Sequence, residues 1–142
     1  MTDGTSLELE LAADPALLAT ARSFVAGVVR AAGFGDGLVE DARIAASEAC
    51  TAAIRSARGD ERVAIRAWLR PASVEISIDG PAGPTVRGQS DAISHVEGLD
   101  EGEIAAGLDL VAALFPDTSI EHRPDAATVR FTVATDGSKS PR

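Results

Sequence analysis

Between residues 38 and 57 the chain places Leu38, Ala42, Ala45, Ala49, Ala52 and Ala53 on one side of a single helix. That seam of alanines is the strongest constraint in the sequence. Small side chains let a helix axis come close to its neighbour, and a sheet offers a flat surface for such an approach. The chain therefore needs strands, and their patterns lie on either side of this helix.

Residues 62–70 and 73–79 read as two strands of a hairpin across Pro71-Ala72. The first alternates Val63, Ile65 and Ala67/Trp68 with Arg62, Arg66 and Arg70. The second puts Val74, Ile76 and Ile78 on one face. Residues 6–11 alternate Leu7, Leu9 and Leu11 with Glu8 and Glu10, which predicts a half-buried strand. Residues 118–122 and 128–133 predict a closing hairpin around Arg123-Pro124-Asp125-Ala126.

Two further helices complete the pattern. One is predicted over 16–32, with Asp14 as N-cap, Pro15 at the first helical position and an apolar stripe of Leu17, Ala21, Phe24, Val25, Val28 and Val29. Gly33-Phe34-Gly35 stops it. The other is predicted over 103–115, with Ile104, Leu108, Val111 and Leu114/Phe115 on one side and Pro116 at its end. The order β-α-α-β-β-loop-α-β-β is that of an α+β domain. Its expected form is a two-layer sandwich, a mixed and mostly antiparallel sheet with helices packed on one face. A chain of 142 residues makes one such domain, taken as 6–135, with residues 1–5 and 136–142 expected to fray.

Composition excludes several classes of function. The net charge of −9 leaves nothing to neutralise a row of phosphates, so direct nucleic-acid binding is not expected. One cysteine, Cys50, excludes a disulfide framework and a cysteine-based metal site, and two histidines, His95 and His122, make no histidine cluster. No metal site is predicted. Cys50 reads as a small core or boundary residue, and Trp68 as core rather than an exposed anchor. No run approaches the roughly 18 apolar residues of a membrane span. Met1-Thr2-Asp3-Gly4 has no charged-then-apolar leader pattern, and the chain reads as cytoplasmic.

Residues 80–102 form a long stretch with Gly80, Pro81, Gly83, Pro84, Gly88, Gly98 and Gly102. A loop of that length inside a compact domain is usually a functional lid or a disordered segment. From 80 to 103 it carries Asp91, Glu97, Asp100, Glu101 and Glu103 against Arg87 alone. Five carboxylates repel a triphosphate. They suit a solvated loop, or contact with a basic partner.

The run Ala46-Ser47-Glu48-Ala49-Cys50-Thr51-Ala52-Ala53-Ile54 resembles the helix motif Glu-Ala-x-Thr-Asn-Ala of the bacterial anti-sigma factor/serine-protein kinase family, within the histidine-kinase-like (GHKL, Bergerat-fold) ATPases. In that family the Glu supports the water or hydroxyl near the phosphates, and the Asn one helical turn on ligates magnesium. This chain keeps Glu48, Ala49, Thr51 and Ala53, has Ala52 at the Asn position, and has Ser56 where the family often has His. The family's Asp-x-Gly-x-Gly box, whose Asp accepts from the adenine amino group, is matched with Asp79 and Gly83, Pro81 standing at the middle Gly. Its Gly-x-Gly-Leu box, where backbone N–H groups hold phosphates at a helix start, is matched with Gly107 and Leu108, Ala105 standing at the first Gly.

The resemblance implies an ATP/Mg²⁺ site and a catalytic role for Glu48. Asp79, Gly83, Gly107 and Leu108 would bind the cofactor, and the departures imply weakened or lost binding. It also implies a sigma factor and an anti-sigma-factor antagonist as partners, and a homodimer. Two readings follow: an anti-sigma-factor-like binding module, or an active ATP-dependent serine-protein kinase that phosphorylates the antagonist. The residues alone also allow a solvated helix glutamate at 48, a turn aspartate at 79, a turn glycine at 83 and a packing glycine at 107. A cleft shared by Glu48, Asp79 and Gly107 is the expectation that ties the boxes together.

Overall fold

The structure is a computed structural model that describes residues 5–57, 61–81, 107–123 and 126–134. Five strands build one sheet: β1 (Thr5–Ala12), β2 (Arg62–Arg70), β3 (Ser73–Gly80), β4 (Ser119–Arg123) and β5 (Ala126–Ala134), in the order β1-β2-β3-β5-β4. Every pair among the described residues is antiparallel, so the expected mixture of directions is not seen there. The turn residues 124 and 125, the expected loop beyond Pro81, Gly83 with it, and the first residues of the third helix lie outside the described residues.

The first helix begins as the sequence requires. Asp14 Oδ1 accepts from the Ala16 N–H at 2.9 Å, and Pro15–Leu17 form a 3₁₀ turn. This turn leads into α1 (Leu18–Ala31). Gly33 follows with φ +95°, the left-handed conformation that ends a helix and that a side chain resists. The second helix, α2 (Asp36–Ser56), starts two residues earlier than the pattern suggested. Gly35 in extended backbone precedes it, and Asp36 sits in its first turn, where negative charge suits the helix dipole. The described part of the third helix, α3, covers 107–114.

All three helices lie on one side of the sheet. The alanine seam works as its size predicts: Ala42, Ala45, Ala46 and Ala49 are at most 1% exposed beneath α2. They meet Ile65, Ile76 and Ile78 of the central strands within one core cluster. From α1 come Val25 and Val29, and Phe115, just after α3, stacks on Phe131 of β5 with centroids 4.8 Å apart. That ring pair holds the end of α3 to the sheet.

Cross-strand register fixes which residues share a face. Leu9, Ile65, Ile78 and Val129 stand in one row on the helix side, as do Leu7, Ala67, Ile76 and Phe131. The strand expected over 6–11 forms, but Leu7 remains 41% exposed, with no described helix packed over it. The opposite face is polar, and no helix among the described residues packs on it. There Glu8–Arg66, Arg66–Asp79, Arg70–Glu75, Arg130–Glu75 and Arg123–Glu121 approach within 3.0–3.5 Å. Arg130 Nε is 3.0 Å from Glu75 Oε2, an ion pair whose geometry does not meet that of a hydrogen bond. Ser77 and Thr128 lie beneath this lattice at 1% and 2% exposure. Trp68 also belongs here, opposite Glu75 and only half-buried, so its expected place in the core is corrected. The doublet Ala67/Trp68 left its parity open, and Ala67 is the inward member.

Candidate functional site

Glu48 projects from α2 toward the start of the described part of α3. A Cβ placed on Gly107 would collide with Glu48 Oε1 and lie 3.4 Å from Glu48 Cδ. The pair therefore comes together across 59 positions of chain, and the absence of a side chain at 107 is what admits the carboxylate. Gly107 is buried, and Leu108 beside it packs against the core. One turn along α2 from Glu48, Ala52 is 9% exposed and carries no side-chain donor or acceptor.

Asp79 is not in this cleft. Along β3 the side chains of Val74, Ile76 and Ile78 face the helices, so Asp79 faces the polar side. Its Oδ1 accepts from Thr128 Oγ1 at 2.6 Å, and its Oδ2 lies 3.5 Å from Arg66. Arg123 in turn donates to Thr128 Oγ1 at 2.8 Å. Of the three residues expected to share a cleft, Glu48 and Gly107 are brought together and Asp79 stands apart. The physical reason is the period of two along a strand: adjacent residues cannot share a face.

The position that faces the helices is 78, and it holds Ile78, 1% exposed in the core. Gly80 faces the same way. A Cβ on Gly80 would lie 2.6 Å from Ala53 Cβ and 3.3 Å from Ala53 Cα, so only glycine lets the end of β3 pass under α2. Residues 78 and 80 were missed by motif matching. The alternation of Val74, Ile76 and Ile78 was the signal that pointed to them.

Glu48 also lines an open pocket with Arg22, Glu40, Arg43, Ile44 and Ser47. Arg22 reaches Ser47 Oγ at 3.5 Å, and Arg43 is 3.7 Å from Glu40. Cys50, on the inward side of α2, is 1% exposed, and burial pushes its thiol up from 9.0 to about 12. It is a packing residue rather than a nucleophile. Among the described residues no group of three His, Cys, Asp or Glu side chains could hold a metal ion, and no helix is long and apolar enough to cross a membrane.

A two-layer α+β domain with a five-stranded antiparallel sheet and helices on one face is consistent with a GHKL-like fold. The chain belongs to the histidine kinase-like ATPase domain family, whose pattern matches residues 11–133. The crystal structure of the RsbU and RsbW domains of Rv1364c from Mycobacterium tuberculosis is similar, with a TM-score of 0.65 and 18% identity. The similarity covers 92% of this chain and 32% of that one, so this chain corresponds to about a third of that structure. At this identity the likeness is one of fold. No curated protein matches the sequence.

Proposed function

We propose that the protein is an anti-sigma-factor-like regulator that works by binding other proteins, on an ATPase scaffold whose nucleotide site has lost its anchoring side chains. The family gives the scaffold, and the Glu48 motif carries the resemblance to anti-sigma factors. One observation supports the loss of chemistry: Ala52, one turn along α2 from Glu48, and Ile78, the helix-side residue near the end of β3, both lack a side-chain donor or acceptor.

On this reading the box at the end of β3 runs Ile78-Asp79-Gly80-Pro81-Ala82, one residue earlier than residue type alone suggested. Gly80, which the approach of Ala53 demands, becomes its middle glycine, and Pro81 falls at a variable place. The adenine-accepting carboxylate is then replaced by Ile78, and the last glycine by Ala82. The residues present do not fit Mg²⁺-ATP. Ala52 offers no ligand oxygen, and Ile78 offers no acceptor to the base. A sigma factor and an anti-sigma-factor antagonist are the proposed partners, and the acidic segment after β3 suits a basic partner surface.

Calorimetric titration with ATP, with and without Mg²⁺, tests this. The expected outcome is no saturable binding below roughly 1 mM, near the weak end of specific affinities. Ala52→Asn alone is expected to leave that unchanged, because position 78 still lacks an acceptor. Mg²⁺-dependent binding by the wild type in the micromolar range would overturn the reading. The second reading, a working serine-protein kinase, is favoured by the retained Glu48–Gly107 contact. Transfer of labelled phosphate from ATP to an antagonist domain would decide for it.

A further inference from the structure

We draw no further inference here: the strongest candidate, the open pocket between α1 and α2 lined by Arg22, Arg43, Ser47 and Glu48, adjoins the site already described through Glu48, and nothing in the structure shows what covers its two arginines.

Discussion

Gly80→Ala is the most direct probe of how β3 sits under α2. The added methyl carbon would lie 2.6 Å from Ala53 Cβ and 3.3 Å from Ala53 Cα. The first distance is inside any tolerable carbon–carbon separation, and neither atom belongs to a flexible side chain, so helix or strand must move. Overpacking of this kind costs about 1–3 kcal/mol. For a domain of this size each kcal/mol lowers the melting temperature by roughly 3 °C, so the expected loss is about 3–10 °C.

The cause can be isolated by pairing the change with Ala53→Gly. That substitution alone costs about 1 kcal/mol in a helix interior, but it removes the nearer of the two colliding atoms. In Gly80→Ala/Ala53→Gly the backbone of residue 53 still stands 3.3 Å from the new methyl, so rescue is partial. Urea unfolding of the four proteins should give a favourable coupling of about 1–2 kcal/mol, with unchanged m-values. Strictly additive effects, or a Gly80→Ala protein within about 0.5 kcal/mol of wild type, would refute the close approach and the placing of Gly80 as the box's middle glycine.

Two other expectations concern single side chains. Cys50, with its thiol pushed up to about 12 from 9.0, stays protonated in the folded protein while the unfolded chain ionises. The unfolded state loses its proton first, so stability is intact below pH 9 and falls as pH rises toward 12, by at most about 1.4 kcal/mol per pH unit. Unfolding free energies of wild type and Cys50→Ala measured from about pH 8 to 11 should show that extra slope in the wild type alone. Thr128→Val removes the buried hydroxyl between Asp79 and Arg123 and leaves both charged groups short of a partner; a loss of about 1–3 kcal/mol in urea is expected. A neutral Thr128→Val would mean that water replaces the hydroxyl at no cost.

The elements whose side chains alternate strictly could be read from the sequence. Arg62–Arg70 and the β3 strand fall where Val63, Ile65, Val74, Ile76 and Ile78 put them, because one buried face dictates parity. Trp68 went astray where two apolar residues stand side by side and the period of two has no single solution. Asp79 went astray for a different reason. A motif is matched by residue type, whereas a site is filled by direction, and the direction of Asp79 is set by its neighbours in the strand. The Glu48–Gly107 contact was foreshadowed by two boxes, but their meeting depends on how α2 and α3 both pack on the sheet, which no local pattern encodes. Leu7 shows the reverse limit: its alternation is that of a half-buried strand, and the alternation does not say whether a helix packs over it.

The polar face of the sheet has a consequence for how the molecule behaves in salt. Its five arginines, Arg62, Arg66, Arg70, Arg123 and Arg130, are matched by Glu8, Glu10, Glu75, Asp79 and Glu121, so that face carries no net charge. The helices α1 and α2 balance in the same way, Arg22, Arg30, Arg43 and Arg55 against Asp36, Glu40, Asp41 and Glu48. The chain's −9 is therefore held by its connecting segments, its third helix and its ends, with Asp91, Glu97, Asp100, Glu101 and Glu103 the densest group. Ionic strength can then act on two properties separately. The folded layers, neutral as units, have little long-range self-repulsion for salt to relieve. The rate at which a cationic protein is drawn in, by contrast, is governed by the acidic connectors and should fall steeply as the Debye length shrinks from about 30 Å at 0.01 M to about 8 Å at 0.15 M.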